Sequence, residues 1–580
     1  MPLQVPPVSI ARRGFTYWDL IAVLLVLGLV IFLAEASRGL MQPLAELERA
    51  PVALDPARLP EYAARTTLRM LAALVLSLLF TFTYGTLAAK SRRAEVVLIP
   101  VLDILQSVPI LGFISVTVVF FMSLAPGRVL GAEFAATFAL FTSQAWNMTF
   151  SFYQSLRTVP EELIEASRCF RLGAWTRFWR LEVPFAIPAL TWNMMMSMSG
   201  GWFFVVASEA ISVGNTTVTL PGIGSYIALA LEQRDLAAIG WAIGVMLVVI
   251  LIYDQVLFRP LVAWADRFRF EQETGVAAPT SWVLAALRRS RLVACVTNAI
   301  ATCFRHLSRV RPKPRGRSRP VGRAVSTRGN DPIRGMDLAW YAATAAVALI
   351  AAWKVVRFVS ADVSIAEVST VIALGLATLA RVLILIAIAS AVWVPIGIWI
   401  GLRPAAARIA QPIAQFFAAF PANLLFPIAV SAIVTYRLDP NIWLSPLMIL
   451  GTQWYILFNV IAGASTLPSE LRDVGTNLGV HGWLWWRRIA LPGVFPFYVT
   501  GAITASGGSW NASIVAEVAS WGQDRLEATG LGAYIADATA AGDFHRIVLG
   551  IAVMAAFVTV LNRTFWRPLY RYAERKYRLG

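Results

Sequence analysis

Two short polar segments carry the side chains with the clearest chemical role in this sequence. The first contains Glu162 and the second contains Glu470, and these two glutamates stand 308 positions apart. Each segment begins with a threonine and a proline, which favour the start of a helix, and acids in the first turn stabilise the positive helix end. Arginine and tryptophan side chains follow in both copies. The duplicated pattern predicts two equivalent helical surfaces that bind a partner protein.

Residue groupings typical of catalysis or of a metal site do not occur in the sequence. The cysteines lack the spacing of metal ligands and the histidines are scattered: Cys169, Cys295, Cys303, His306, His481 and His545. The phosphate-binding pattern Gly-x-x-x-x-Gly-Lys-Ser/Thr does not occur either. We therefore predict no catalytic residue, no metal site and no cofactor in this chain.

The polar segments belong to a longer internal repeat, and repeats determine how a whole chain is interpreted. The offset of 308 holds without a gap from Trp146 and Trp454 to the C-terminal ends of both copies. Upstream, Arg69 matches Arg381 at an offset of 312, so the second copy has lost four residues before Trp454. Identical residues in the main register include the pairs Glu162/Glu470, Leu163/Leu471, Trp202/Trp510, Glu209/Glu517 and Tyr226/Tyr534.

The elements that position these segments are predicted to be membrane-spanning helices. With 58% hydrophobic and 14% charged residues, the chain is far more apolar than soluble domains, and runs of about 20 apolar residues recur. The predicted spans are Trp18–Ala36, Thr67–Ala89, Val96–Met122, Ala132–Phe150, Phe185–Val213, Ala237–Arg259, Leu338–Val359, Thr370–Gly401, Ile409–Tyr436, Ile442–Ala462, Gly493–Ala519 and Phe544–Trp566. We expect an all-α polytopic membrane protein of about twelve transmembrane helices in two parallel, pseudo-symmetric repeats.

The charge distribution indicates membrane topology rather than nucleic-acid binding. Much of the net charge of +17 lies between Arg267 and Arg334, where fifteen Arg and Lys residues accompany three acids. Because basic loops stay on the cytoplasmic side, both termini and both polar segments are predicted to be cytoplasmic, with a retained first span. The predicted domains are a first repeat at 1–266 (core 61–266), a basic tether at 267–336 and a second repeat at 337–580 (core 370–572). Within the tether, Ser281–Phe304 could lie on membrane lipid as an amphipathic helix.

The first polar segment resembles the EAA loop of bacterial type I ABC importer permeases, the binding-protein-dependent inner-membrane components. The resemblance lies in the run Glu162-Leu163-Ile164-Glu165-Ala166-Ser167 with Pro184 and Pro188 downstream. The second copy, Asp473-Val474-Gly475 with Gly479, is a weaker match. The pattern Trp202, Glu209, Gly222-Ile223-Gly224 and Tyr226 is similar to the nitrate/taurine/sulfonate subgroup, and the second copy repeats it.

The resemblance implies a transport permease in the bacterial inner membrane, not an enzyme. Its partners would be two copies of an ABC ATPase subunit, which bind ATP and magnesium, and an extracytoplasmic binding protein that delivers a small anion such as nitrate, a sulfonate or bicarbonate. The implied ATPase-coupling residues are Glu162, Leu163, Glu165, Ala166, Ser167, Gly173, Glu470, Leu471, Asp473, Gly475 and Gly479. The loop glycine of the family aligns with Arg171 in the first copy, so the two docking surfaces are expected to be unequal.

Polar side chains inside the spans are candidates for the translocation path, because such groups are costly in a membrane and usually face a cavity or a partner helix. The candidates are Gln144, Trp146, Asn147, Trp202, Ser208, Gln453, Trp454, Ser509, Trp510 and Asn511. Hydrogen bonds between packed helices are the alternative role for any one of them. Glu209 and Glu517, near the outer ends of their spans, are expected to have a structural role at the membrane interface.

Two other classes of protein compete with the importer permease. A self-contained secondary transporter of the twelve-span type would need no ATPase, but it should carry ion-coupling acids near the middle of the membrane. A regulatory or scaffolding membrane protein gives no reason for two symmetric docking loops.

Overall fold

The computed structural model of the chain describes most of both repeats. The described residues are 27, 28, 52–107, 110–213, 216–268, 281–289, 302, 335–420, 422–465, 467, 469–521 and 524–577. The predicted first span Trp18–Ala36 and the predicted tether 267–336 therefore lie almost entirely outside them. Of the predicted surface helix Ser281–Phe304, the described part is an eight-residue helix, Trp282–Arg289.

The first repeat is a succession of helices interrupted by one β-hairpin. Its elements are α1 (Leu59–Phe80, continued by a π-helical turn Thr81–Gly85 and by Thr86–Lys90), α2 (Arg92–Ser107), α3 (Ile110–Leu124), α4 (Val129–Arg157), α5 (Glu161–Cys169), α6 (Ala174–Arg177), the π-helical turn Phe178–Glu182, α7 (Val183–Glu209), β1 (Ala210–Val213), β2 (Thr216–Thr219), α8 (Ile223–Glu232), α9 (Leu236–Ile252), the π-helical turn Tyr253–Phe258 and α10 (Arg259–Ala265). The helix Trp282–Arg289 is α11.

The second repeat follows the same order. Its elements are α12 (Gly335–Val359), α13 (Ile365–Gly401), α14 (Pro404–Ala419), α15 (Phe426–Thr435), α16 (Pro440–Trp443), α17 (Leu447–Leu450), α18 (Gln453–Ser465), α19 (Ser469–Asn477), α20 (Gly482–Trp485), the π-helical turn Trp486–Ala490, α21 (Leu491–Ala516), β3 (Val518–Trp521), β4 (Asp524–Glu527), α22 (Leu531–Ala541), α23 (Phe544–Leu561), the π-helical turn Asn562–Trp566 and α24 (Arg567–Tyr577). From α5 and α19 through both hairpins, the starts of matched elements differ by the 308 positions of the sequence repeat.

The described residues form two compact units. The smaller unit contains residues 158–191, 252–268 and 281–289, and the larger unit contains residues 52–157, 192–251 and 335–577 where they are described. In the larger unit α1 packs on α4, and α18 packs on both α13 and α21. In the smaller unit, the Trp282 indole donates to Gln255 Oε1 at 3.3 Å, which attaches α11 to the π-helical turn after α9.

The predicted membrane spans are confirmed in part. Six of the described helices are long and apolar enough to cross a membrane, and a seventh span results if Pro440–Leu450 and Gln453–Ser465, bent by 44°, count as one. The predicted span Val96–Met122 falls on two helices, α2 and α3, and Ile409–Tyr436 falls on α14 and α15. Prolines stand in the first turns of α15 and α16. Proline lacks an N–H and fits the first turn of a helix, so Pro427 marks where the predicted span Ile409–Tyr436 is interrupted.

Two β-hairpins correct the all-α expectation. The predicted spans Phe185–Val213 and Gly493–Ala519 are too long, because α7 and α21 end before the antiparallel pairs β1–β2 and β3–β4. The first pair contains Ile, Val and Thr, the residue types that favour a pleated strand, and its apolar residues made the span look longer than the helix. Each pair follows a buried glutamate, Glu209 or Glu517.

Two helix ends use arginine in the first repeat where the second repeat uses glycine. Arg171 and Gly479 have φ of 51° and 67°, and Arg234 and Gly542 have φ of 56° and 70°. After each of these residues, the next N–H donates to the carbonyl five positions earlier at 2.8 to 3.0 Å, which closes the helix end. The left-handed conformation needed here costs a residue with a Cβ about 1 to 2 kcal/mol, whereas glycine adopts it freely.

Replacing these arginines by glycine is expected to stabilise the protein. Because the backbone strain is removed but the unfolded chain gains freedom, we expect Arg171→Gly and Arg234→Gly each to raise the free energy of unfolding by at most about 1 kcal/mol. Thermal unfolding in detergent measures the change, and Gly479→Arg and Gly542→Arg are matched controls that should lower the melting temperature. If the Arg→Gly and the Gly→Arg variants all melt at the temperature of the parent protein, the left-handed conformation does not strain these helix ends.

Candidate coupling loops and translocation path

The two predicted coupling segments form short helices with identical bounds in the repeat register. Helices α5 and α19 contain nine residues each. The carboxylates of Glu162, Glu165, Glu470 and Asp473 are exposed, and Ala166 is exposed beside them. Leu163 is half-buried, and 36% of Leu471 is exposed. Each helix therefore presents acidic and apolar side chains together on an accessible surface.

One face of each helix packs against the protein through a small residue. Ser167 and Gly475 occupy equivalent positions, and both are buried. Ser167 Oγ donates to the Ile164 carbonyl at 2.6 Å. A Cβ on Gly475 would lie 2.6 Å from Ile489 Cδ1, in the π-helical turn that precedes α21. The Ile489 side chain therefore occupies the space that a Cβ on Gly475 would take, and α19 lies close to the start of the following helix.

Large apolar side chains are exposed at the C-terminal end of both helices. Phe170 is 78% exposed and its equivalent Leu478 is 75% exposed. Trp175 and Trp483, also equivalent, are 42% and 73% exposed. Sequence reasoning had identified the tryptophans but missed Phe170 and Leu478, although the repeat register aligns them. Exposed apolar groups beside charged ones are typical of a surface that binds another protein.

The glycines of the segments have different local roles. Gly173 is the N-cap of α6 and is exposed, in extended conformation with φ of −64°. Gly479, which ends α19, is exposed and takes the left-handed conformation that Arg171 takes in the first copy. The surfaces also differ in charge, because Glu161 and Ile164 of the first copy correspond to Ser469 and Arg472 of the second.

Six of the predicted path residues are buried. They are Gln144, Trp146, Trp202, Ser208, Ser509 and Trp510. Ser208 Oγ donates to the Val205 carbonyl at 2.9 Å, and the Trp510 ring stacks on Phe557 with centroids 6.1 Å apart. These contacts are of the helix-packing kind, the alternative role considered for polar residues in spans.

The other four predicted path residues are partly exposed: Asn147, Gln453, Trp454 and Asn511. Asn147 Oδ1 accepts from Gln106 Nε2 at 3.2 Å. Gln453 Oε1 accepts from the Trp393 indole at 2.8 Å, and the Trp454 ring stacks on Phe417. Because these side chains keep some exposure, their polar groups or ring faces can meet a passing solute.

A buried carboxylate stands at the end of each long helix that follows a coupling segment. Glu209, the last residue of α7, is 0% exposed, and Glu517, the C-cap of α21, is 1% exposed. Sequence reasoning placed both near the outer ends of their spans, and the structure adds that both side chains are buried within the protein. An ionised carboxylate in the interior is costly unless it is paired and hydrogen-bonded, so its partners are decisive.

The partners of the two carboxylates repeat almost atom for atom. In the first repeat, Glu209 Oε1 accepts from Thr66 Oγ1 at 2.7 Å and from Arg69 Nη1 at 2.6 Å, and Oε2 accepts from the Gly224 N–H at 2.7 Å. The Thr66 hydroxyl in turn accepts from the Ile223 N–H at 3.0 Å. One carboxylate thus joins α1, α7 and the first turn of α8, whose N–H groups favour negative charge.

The second repeat has the same contacts. Glu517 Oε1 accepts from Thr378 Oγ1 at 2.8 Å and from Arg381 Nη1 at 3.0 Å. Its Oε2 accepts from the N–H groups of Gly532 at 2.7 Å and Ala533 at 3.2 Å. The carboxylate therefore joins α13, α21 and the first turn of α22.

Glycines make these contacts sterically possible. A Cβ on Gly222 would lie 2.2 Å from Glu209 Oε2, and a Cβ on Gly530 would lie 2.2 Å from Glu517 Oε2. A Cβ on Gly224 would lie 2.7 Å from the Val205 carbonyl oxygen. The Gly-x-Gly pattern after each hairpin is thus explained by close approach of the backbone to the carboxylate.

The two clusters differ in net charge at one position. In the first, the Arg69 guanidinium also pairs with both oxygens of Glu133 at 2.6 Å, so one cation faces two carboxylates. In the second, Asn441 takes the place of that second carboxylate, and its Oδ1 accepts from Arg381 Nη2 at 3.1 Å. The first cluster therefore carries one more negative charge than the second.

This difference predicts unequal effects of neutralising the two glutamates. Glu517→Gln leaves Arg381 without an anionic partner among the described residues, so we expect a loss of about 2 to 3 kcal/mol of stability. Glu209→Gln leaves Arg69 paired with Glu133 and should cost clearly less. Thermal unfolding of the purified chain compares the variants.

A compensating variant gives the control. Asn441→Glu in the Glu517→Gln background restores an anion beside Arg381 and should recover part of the lost stability. Equal destabilisation by Glu209→Gln and Glu517→Gln would mean that charge pairing does not control these sites.

Comparison with known proteins agrees with this geometry. The sequence profile of the family described as binding-protein-dependent transport system inner membrane component matches residues 81–261 and 393–579, together more than half of the chain. The chain is 28% identical over 189 residues to the bicarbonate transport system permease protein CmpB of Synechocystis sp.. This match covers 32% of the present chain and 64% of CmpB.

Other similar proteins carry names for other solutes. The chain is 26% identical over 186 residues to the nitrate import permease protein NrtB of Leptolyngbya laminosa, covering 32% of this chain and 63% of that protein. It is 25% identical over 189 residues to the glycine betaine/carnitine transport permease protein GbuB of Listeria monocytogenes. That match covers 32% of this chain and 61% of GbuB. Each of these matches spans less than two thirds of the relative's own length. The chain belongs to the family of binding-protein-dependent inner membrane transport components, and it carries the family's domain twice.

Proposed function

We propose that this chain is the transmembrane permease subunit of an ATP-driven ABC importer, with both halves of the translocation path in one polypeptide. The observation that carries the proposal is the pair of exposed helices α5 and α19, which have the same bounds in the repeat register and present equivalent acidic and apolar side chains. Each would bind one ABC ATPase subunit, which holds ATP and magnesium. This arrangement requires both loops and both termini to be cytoplasmic.

The structure of the second repeat provides a direct connection from the loop to the far end of the membrane region. Helix α19 packs through Gly475 on the turn that runs into α21, a helix of 26 residues and therefore about 39 Å long. At its other end, Glu517 bonds α21 to α13 and α22. Movement of α19 with an ATPase subunit would thus tilt a rigid helix and open the path alternately to each side.

The first repeat has the matching elements. Helix α7, 27 residues and about 40 Å long, follows α5 and α6 and ends at Glu209. The two repeats would then move as a pair when two ATPase subunits close on ATP.

The cargo we propose is a small anion such as nitrate, a sulfonate or bicarbonate, delivered by an extracytoplasmic binding protein. Two of the relatives are named for bicarbonate and nitrate. The partly exposed path candidates Asn147, Gln453, Trp454 and Asn511 are neutral donors and ring faces. Neutral groups bind an anion weakly, which suits passage, because a solute must also leave the site.

Membership of the family favours this function over a self-contained secondary transporter. The family is named for dependence on a binding protein, and the duplicated exposed loops have no use in a transporter that lacks soluble partners. The loops also disfavour a scaffolding role, which would not need two equivalent surfaces.

Charge reversal on the loops tests the proposal. Because Glu162 and Glu470 are exposed on the docking helices, Glu162→Lys and Glu470→Lys should prevent productive binding of the ATPase. We expect each variant to insert normally but to lose substrate-stimulated ATP hydrolysis by the complex of permease, ATPase and binding protein. Co-purification of the ATPase with the tagged permease measures docking separately from hydrolysis.

The control is an exposed glutamate away from the loops. Glu232, at the end of α8, is exposed, and Glu232→Lys should leave co-purification of the ATPase unchanged. If Glu162→Lys and Glu470→Lys both retain coupled hydrolysis at the wild-type rate, the loops are not the docking surfaces and the proposed function fails.

A further inference from the structure

One tyrosine of the second repeat lies against equivalent glycines of both repeats. Gly200 on α7 and Gly508 on α21 stand at matched positions, 308 residues apart. A Cβ on Gly200 would lie 3.2 Å from the Tyr455 hydroxyl, and a Cβ on Gly508 would lie 4.0 Å from Tyr455 Cε2. A side chain that reaches both members of a repeat pair lies close to the axis that relates the two repeats.

The backbone of Tyr455 is held firmly in place on α18. Asn459 Nδ2 donates to the Tyr455 carbonyl at 2.8 Å. A Cβ on Gly501 would lie 2.7 Å from the same carbonyl oxygen, so α21 packs directly on this turn of α18. The aromatic ring packs against a cluster that includes Met196 of the first repeat and Leu457 of the second. The position of the hydroxyl is therefore set by contacts with both repeats.

The Tyr455 hydroxyl has no hydrogen-bond partner among the residues that the structure describes, and the side chain is partly exposed. Three other tyrosines of the described structure are paired: Tyr84 donates to the Leu98 carbonyl, Tyr153 donates to Glu95, and the Tyr498 hydroxyl lies 3.1 Å from Ser390 Oγ. The Tyr226 hydroxyl also lacks a partner among the described residues, but it is fully buried, whereas Tyr455 is not. A phenol in a largely apolar setting normally has a partner, so an accessible unpaired donor indicates a site for a solute.

We propose that Tyr455 forms part of the translocation path and that its hydroxyl donates a hydrogen bond to the oxyanion as it passes between the repeats. The proposal rests on the proposed function. A hydrogen bond to a charged acceptor is stronger than one between neutral groups, so a single phenol can hold an anion briefly without a cation. The absence of a side chain at Gly200 lets the Tyr455 hydroxyl approach α7 closely.

The two repeats place different residues at the position of Tyr455, so the two sides of the proposed path differ. The position equivalent to Tyr455 is Asn147, whose side-chain oxygen accepts from Gln106. One repeat thus supplies a phenol that is free to donate within the described structure, and the other supplies an amide already engaged with a neighbour. A single chain that contains both repeats can evolve such asymmetry, whereas a homodimer cannot.

Cysteine chemistry on the complete transporter tests the proposal without knowledge of the cargo. In a background in which Cys169, Cys295 and Cys303 are replaced by serine, the Tyr455→Cys variant is assembled with the ATPase and binding protein in proteoliposomes. Two thiol reagents are compared, the anionic methanethiosulfonate ethylsulfonate and the cationic methanethiosulfonate ethyltrimethylammonium. Rates of modification are measured without nucleotide and after trapping with ATP and vanadate.

We expect the thiol of the Tyr455→Cys variant to react at least about tenfold faster in one of the two states than in the other, because a residue on an alternating path is open to solution in only one of them. The two reagents differ in intrinsic reactivity, so each rate is first divided by the rate of the same reagent with a free small thiol. On that scale the anionic reagent should be the faster one. The Tyr498→Cys variant is the matched control, since the native hydroxyl is paired with Ser390 inside the helix packing, and it should react at the same rate in both states. Faster reaction of the Tyr455→Cys variant with the cationic reagent would overturn the assignment of an anion path.

A second reporter guards against a folding defect at Tyr455. Gly200→Cys places a thiol on the opposite wall, facing the hydroxyl, and should show the same state dependence. Suppose that the ATPase co-purifies but that both introduced thiols react at the same rate in the two states, or do not react at all. The assignment of Tyr455 to the path is then overturned, while the proposed function stands. If no ATPase co-purifies with the parent chain, it is the proposed function that fails.

Discussion

The membrane region depends on the buried carboxylates of Glu209 and Glu517. Each binds an arginine, a threonine hydroxyl and the first N–H groups of a following helix. In a low-dielectric interior, an unpaired carboxylate would be strongly destabilising, so these bonds are made together or the local fold is lost. The requirement explains the glycines beside each carboxylate, because a Cβ there would overlap its oxygens.

This constraint also gives the transport proposal a mechanical basis. The same carboxylates end the long helices α7 and α21, which begin after the coupling segments. A helix fixed at one end by an ion pair and contacted at the other by a docking helix can transmit displacement along its length. The two clusters are unequal, because Asn441 of one takes the place of Glu133 of the other. The repeats share a framework but have diverged in charge.

Particular elements show where sequence reasoning succeeded and failed. The offset of 308 predicted that α5 and α19 would be equivalent helices, since both copies carry the same helix-start signals. It also aligned Phe170 with Leu478 and Asn147 with Tyr455, although of these four residues only Asn147 was identified as a candidate from the sequence. Strand β1 and the first two residues of β3 were predicted as helix, because apolar residues after a span extend its hydrophobic pattern. The break between α14 and α15 was likewise hidden in continuous apolar sequence.

The sequence alone determined the family resemblance, the repeat register and the position of the predicted coupling helices. Apolar periodicity and repeated residue patterns can be recognised along the chain without knowledge of which segments pack together. Which polar groups are paired, buried or accessible depends on side chains that approach from distant segments, as Thr66 and Arg69 approach Glu209. Tertiary structure alone decided that Glu209 and Glu517 are buried, that Trp202 and Trp510 are packed, and that Tyr455 lies against Gly200 and Gly508. Long-range packing has no signature in local sequence pattern, and this is the physical reason for the division.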